Sequence, residues 1–247
     1  MVRLIAALEV QGFVTADQLL NEKQTLPDLT FGVEAFDSVL ALSFGQFVAF
    51  QGKPSHALCM LLCARAILPR PLGPNCDVIF VDGGNNFDPY SISNNSVEQS
   101  LDAENVLERV HVSRAFTHHQ LACLLIEKLP PAIEKFKAKL VIVSDITQLY
   151  CDPDVRDEEK DDALQIFGKA VRTLRMVARQ HRCLIIATNL EQRNYQMNNS
   201  LMSAAHVSVR IEENAGLTRF SLLKHPNLPP RTTIASTPGV RILESYL

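Results

Sequence analysis

Residues able to act on phosphate follow the first strongly apolar run of the chain. Gln46-Phe47-Val48-Ala49-Phe50 reads as a buried strand, and Gly52-Lys53-Pro54-Ser55-His56-Ala57-Leu58-Cys59 comes directly after it. A strand, a loop and a helix in that order are the setting of the pattern G-x-x-x-x-G-K-[ST]. There, backbone amides cradle phosphate, the lysine neutralises it and the hydroxyl holds magnesium. Set on Gly52, this chain has Ala57 at the second glycine, Leu58 at the lysine and Cys59 at the hydroxyl, and Pro54 removes one amide. Leucine brings no charge to phosphate, and a thiol is a poor magnesium ligand. A second reading lets Lys53 and Ser55 substitute from within the loop. Asp145, after the apolar strand Leu140-Val141-Ile142-Val143, would then face the metal.

Other constellations carry less. His118-His119 lacks a third ligand placed by the sequence, so capping or exposure is preferred to a metal site. Asp152, Asp154, Asp157, Glu158, Glu159, Asp161 and Asp162 surround only Arg156 and Lys160, which reads as a solvated loop leading into a helix N-terminus. Lys169, Arg172, Arg175 and Arg179 recur at helical spacing on one face, read first as solvated and second as phosphate-binding.

The elements that must position these residues alternate. A small helical arm is expected over 1–24 and a helix over 26–42, from the spacing of Val33, Phe36, Val39 and Leu40. Strands are expected at 46–50, 77–82, 110–113, 140–143 and 183–187, with helices over 57–67, 118–136 and 160–181. Short, continuously apolar strands between helices signal an α/β fold with a mostly parallel sheet covered on both faces. Val207–Ile211 and Thr218–Leu223 flank Asn214-Ala215-Gly216, which predicts an antiparallel hairpin near the C-terminus. The domain reading is an arm over 1–24 and one core over 25–247.

Composition bounds the function. With 47% hydrophobic and 21% charged residues, a sizeable core forms and disorder is not expected. A formal net charge of -3 excludes a strongly basic nucleic-acid footprint over the whole chain. The six cysteines form no CxxC pair and sit mostly in apolar runs, which suits a reducing compartment. No signal peptide or membrane span is read, so a cytoplasmic protein, or a nuclear one in a eukaryote, is expected.

In its order of pieces the chain resembles the RecA-like ATPases, within them the archaeal RadA and eukaryotic recombinase branch. The resemblance is carried by Thr30-Phe31-Gly32 with Phe36-Asp37 and Val39-Leu40, by Ser113-Arg114-Ala115-Phe116, by Leu140 to Tyr150, by Thr188-Asn189 and by Pro226-Asn227-Leu228-Pro229. It implies a RecA-like core whose Walker A motif has degenerated. It also places a catalytic glutamate where Gly84 stands, within Asp82-Gly83-Gly84-Asn85, and a sensing glutamine at Leu190. The family's Asp-Ser at the Walker B end is Ser144-Asp145 here, the reverse order. Phe13-Val14-Thr15-Ala16 is similar to the F-x-x-A segment with which RadA-like proteins plug into a neighbouring protomer, and it keeps the family's distance to Gly32. Residues 191–206 match the second DNA loop by position, with Arg193 and Tyr195 as DNA contacts. Lys224 is a candidate contact to a neighbour's nucleotide.

The leading expectation is a non-catalytic recombinase paralogue without cofactor. It docks on a RadA-like recombinase or on itself through Phe13 and Ala16, modulates homologous recombination and repair, and touches DNA weakly. The first alternative is a divergent ATPase that uses ATP and Mg²⁺ through Gly52, Lys53, Ser55 and Asp145. The second is an ATPase-dead RecA-fold scaffold outside recombination.

Overall fold

A computed structural model describes residues 27–151, 160–191 and 193–236. The arm 1–24, with Phe13 and Ala16, lies outside the described residues, as does most of the acidic run.

Eight strands form one sheet in the order β3-β2-β4-β5-β1-β6-β7-β8. They are β1 (Phe47–Gln51), β2 (Val78–Asp82), β3 (Val110–Arg114), β4 (Leu140–Ser144), β5 (Leu184–Asn189), β6 (Val207–Asn214), β7 (Leu217–Lys224) and β8 (Arg231–Ser236). The first six are parallel, and β7 and β8 turn back antiparallel. The sheet is therefore α/β and mostly parallel with antiparallel C-terminal strands, as the apolar runs require.

The strand period divides the core in two. Val48, Phe50, Phe80, Ile142 and Ile186 face one side, where α2 (Ser55–Ile67) packs with the segment 29–42. Phe47, Ala49, Val81, Val143 and Ile185 face the other, under α7 (Lys160–Gln180), which buries Phe167, Val171, Leu174 and Val177 at helical spacing. The helix expected over 118–136 is α5 (His118–Cys123) and α6 (Leu129–Phe136), joined by a π-helical stretch over Leu124–Lys128.

The helix expected over 26–42 is corrected. Only α1 (Glu34–Asp37) is helical; Leu29 bridges Leu42, and Gly32 takes φ +71°. The apolar residues there are buried by an aromatic cluster rather than by a helix face. Phe36 stacks on Phe220 at 4.9 Å, and Phe31 meets Phe50 and Phe220 at 6.2 and 5.4 Å. The Arg65 Nε–H donates to the Thr30 carbonyl at 2.6 Å and fixes the segment to α2.

Helices α3 (Pro89–Glu98) and α4 (Ala103–Glu108) between β2 and β3 are additions to the sequence reading. Each begins on an aspartate cap: Asp88 accepts from the amides of Tyr90 and Ser91, and Asp102 from that of Glu104.

His206 ties the start of β1 to the turn before β6. The Phe47 amide donates to its Nδ1 at 2.9 Å, so the ring is needed neutral. Burial first, then Arg175, Arg179 and Lys224, lower its pKa from 6.5 to about 4. The unfolded chain therefore binds more protons between those values. The stabilisation is fully present above about pH 6.5 and is lost as pH falls toward the folded value. For a half-buried ring the effect is about 1–2 kcal/mol. Urea unfolding at about pH 7.5 and 4.5 should show that loss. His206→Gln should flatten the difference; an unchanged pH dependence in that variant would assign the loss elsewhere.

Candidate nucleotide site at the carboxyl ends of the strands

Parallel strands β2, β4, β5 and β1 end at one edge of the sheet, where α/β folds hold their ligands. The residues singled out above converge there, with more side-chain cross-linking than the sequence suggests.

Gly52 leaves β1 at φ +109°, and a Cβ on it would lie 2.0 Å from the Ile211 carbonyl oxygen of β6, so the residue must be glycine. Beyond it the chain turns at once into α2. The amides of Ser55 and His56 donate to the carbonyls of Gly52 and Lys53, each at 3.1 Å, and the Ser55 hydroxyl turns back on the Gly52 carbonyl at 2.6 Å. These donors are spent on the turn itself. Leu58 and Cys59, each 1% exposed, belong to the apolar core beneath α2. Burial pushes the Cys59 thiol far above its ordinary value, so it stays protonated.

Asp145 follows β4 in a left-handed conformation (φ 44°), with its side chain 1% exposed. Arg193 Nη1 donates to its Oδ2 at 3.0 Å, and the Leu190 amide lies 3.4 Å from Oδ1. The same guanidinium reaches Glu191 at 3.3 Å, and Glu191 in turn holds the Lys53 ammonium at 3.0 Å. Lys53, Glu191, Arg193 and Asp145 thus form a chain of ion pairs from the loop after β1 to the end of β4. Burial raises the Asp145 carboxyl above its ordinary pKa, and Arg193 draws it back only in part. Lys53 holds Glu191 below its ordinary value. The outer link is 77% exposed at Lys53 and adds little; the inner, buried link dominates.

Gly84 has no room for a larger residue. A Cβ there would lie 2.6 Å from Asn86 Nδ2 and 2.8 Å from the Asp145 Cβ. Asp82, fully buried, organises this turn by accepting from the amides of Asn86 and Phe87 and from Arg114.

Behind the ion pairs lies a buried amide network that sequence reading did not find. Gln51 Nε2 and Asn189 Nδ2 both donate to Asn198 Oδ1, at 2.6 and 3.1 Å. The Thr147 hydroxyl donates to Asn189 Oδ1 at 2.9 Å, and Arg210 donates to Gln51 Oε1. Asn198 lies on α8 (Tyr195–Ala204), which occupies most of the stretch matched to a DNA loop. Asn194 caps that helix, and a cap followed by Met197 and Leu201 was the available signal.

The remaining candidates are dispersed. Tyr195 is 79% exposed at the start of α8, while Arg193 is taken up by its ion pairs. The Lys224 ammonium donates to the carbonyls of Ser203 and Ala205, at 2.9 and 2.7 Å, and closes the C-terminus of α8. His118 packs against His119 and Tyr150, and among the described residues no group of three or more His, Cys, Asp or Glu is placed to hold a metal. No described helix is long and apolar enough to cross a membrane.

The chain is 23% identical over 190 residues to the DNA repair and recombination protein RadA of Cenarchaeum symbiosum, covering 72% of this chain and 46% of that protein. It is 27% identical over 190 residues to the meiotic recombination protein DMC1 homolog A of Oryza sativa subsp. japonica, covering 72% and 54%. It is 27% identical over 224 residues to the DNA repair protein RAD51 homolog 1 of Arabidopsis thaliana, covering 86% and 64%. The chain thus spans about half to under two thirds of the length of these relatives. The Rad51 family profile matches residues 23–225, which hold β1 to β7, the ion-pair chain and the amide network. By that match, over most of its length, the chain belongs to the Rad51 family.

Proposed function

We propose that this chain is a non-catalytic member of the family, which acts in homologous recombination or repair by binding a recombinase rather than by hydrolysing ATP. One observation carries the reading: Asp145, the carboxylate that the alternative reading would turn on magnesium, is buried and neutralised by Arg193 of the same chain. A magnesium nucleotide does not fit the residues around it. Leu58 and Cys59 stand in the core where a cation and a hydroxyl are needed, and neighbouring side chains fill the space a glutamate at Gly84 would require. The Walker A segment is read as degenerate, and no step through ATP is derived. The ion-pair chain Lys53–Glu191–Arg193–Asp145 links β1 to β4 across β5, a bridging role that needs no ligand.

Binding falls to the N-terminal arm. In Phe13-Val14-Thr15-Ala16 an aromatic and a small residue are spaced to fill two pockets on a partner, which is a RadA-like recombinase or a second copy of this chain. Affinity capture from native lysate, with and without DNase, tests this. The expected result is a recombinase retained after DNase and lost, by about tenfold or more, with Phe13→Ala. Capture unaffected by Phe13→Ala removes the arm from the interface. Absence of any recombinase, with other proteins retained, favours a scaffold role outside recombination.

A further inference from the structure

A cationic cleft opens at the opposite edge of the sheet. Arg70, Arg109, Lys137, Lys139 and Arg182 line a cavity of about 550 Å³. Arg109, Lys139 and Arg182 stand one or two residues before β3, β4 and β5, so the parallel strands gather them at their amino ends. One strand length, about 17 Å, separates this edge from Asp145. None of the segments discussed above for nucleotide or DNA lies here.

The charge is concentrated: Arg109 is held by Asp77 and Asn75, and the Lys139 ammonium donates to the carbonyls of His181 and Arg182 at 3.1 and 3.4 Å, which leaves the other three cations for a ligand. The cleft has five cations against Asp28 and Asp77, in a chain whose net charge is -3. Asp77 is already held by Arg109 at 2.9 Å and His111 at 3.0 Å. Arg70, Lys137 and Arg182 are exposed, and among the described residues no carboxylate lies within ion-pairing distance of them. Lys137 and Arg182 also adopt left-handed backbone, φ 54° and 47°, where glycine or asparagine is the unstrained choice. The C-termini of α6 and α7 favour one cation each. They do not gather Arg70, Arg109 and Lys139 onto the same cavity.

We propose that this cleft is a phosphate-binding site. Arg70 and Arg182 offer planar forks that match phosphate oxygens, Arg109 adds its charge while paired with Asp77 and Asn75, and the two lysines add charge without geometric demand. An acidic peptide would need apolar anchors as well, and the ring of Phe136 on the cleft wall is stacked on His111 at 3.7 Å rather than offered to a ligand. The phosphate comes from a nucleic-acid strand or from a free phosphate or nucleotide. The proposal does not depend on the reading of the Asp145 site.

The test is fluorescence anisotropy of the full chain with a labelled single-stranded oligonucleotide of about 20 residues at low salt, with inorganic phosphate as competitor. The cleft variant is Arg70→Gln/Lys137→Asn/Arg182→Asn, whose asparagines tolerate the left-handed backbone. The control is Lys169→Gln/Arg172→Gln on the exposed face of α7. Salt-sensitive binding should weaken at least about tenfold in the cleft variant, with a shallower salt slope, and hold in the control. Binding that millimolar phosphate does not displace points to a strand. Displacement by phosphate, or phosphate binding alone, points to the free anion. Equal binding by the cleft variant, loss in the control instead, preference for polyglutamate over both phosphate probes, or no binding of either would overturn the proposal.

Discussion

Replacing Arg193 by alanine is expected to cost about 2–3 kcal/mol of stability near neutral pH, more than any other single change at the carboxyl ends that leaves the core intact. The side chain is 30% exposed, but its partner Asp145 is 1% exposed, so the variant strands a buried carboxylate. Burial already raises the Asp145 pKa and Arg193 opposes the rise, so without the guanidinium the folded-state value climbs further. The unfolded carboxyl ionises at its ordinary value of 3.8. The folded variant then binds the extra proton above that value, and its deficit grows as pH rises until the raised folded value is passed. Urea unfolding should give a larger deficit at about pH 8 than at about pH 4.5. Asp145→Asn should recover part of the loss in the double variant, with a coupling of about 1–2 kcal/mol. A deficit that is small and independent of pH would show that the pair contributes no more than a surface contact.

Leu58→Lys, which puts a lysine where the resemblance expects one, should destabilise the fold by about 3–5 kcal/mol and confer no ATPase activity. Leu58 is 1% exposed within the core formed by α2, the sheet and the segment 29–42. A lysine there either buries an ammonium without a counter-charge or deprotonates, and each is costly. Leu58→Met, which keeps the volume, should cost under about 1.5 kcal/mol and separates the effect of charge from that of packing. Thermal or urea unfolding reads both variants. A Leu58→Lys protein as stable as its parent, with new magnesium-dependent nucleotide binding, would mean that the turn over residues 52–55 opens readily and that one substitution separates this chain from an active site.

What was legible in the sequence follows from how each element is buried. Strands such as Leu140–Val143 and Leu184–Ile186 are apolar at every position because helices cover both faces of the sheet, and continuous runs of that kind are readable. The hairpin was readable because its turn residues must adopt left-handed backbone, as Ala215 and Gly216 do. In the segment 26–42 a helical spacing was present, but the burial came from Phe50 and Phe220, residues distant in the chain, and Pro27 and Gly32 interrupt the helix. Helix α3, Pro-Tyr-Ser-Ile-Ser-Asn-Asn-Ser-Val-Glu, buries only Ile92, Asn95 and Ser96, so its periodicity is faint and the cap at Asp88 is its main mark.

The site divides in the same way. The sequence reading of Leu58 where a lysine is expected, and of Gly84 where a glutamate is expected, rests on the resemblance, which fixes where to look. The contacts among the charged groups nearby are not legible in that way. Lys53, Asp145, Glu191 and Arg193 meet only because β1 and β4 flank β5, and no local pattern encodes that contact. The same holds for Gln51, Thr147 and Asn198, whose polar character alone reads as surface and whose burial comes from the topology.

The central claim is that ion pairs and core packing occupy the place where a nucleotide would be held. Isothermal titration of the purified full chain with ATP and magnesium tests it most directly. The account predicts no saturable heat up to about millimolar ATP, and no phosphate release above a protein-free control. Micromolar, magnesium-dependent ATP binding that is abolished by Lys53→Ala would contradict it.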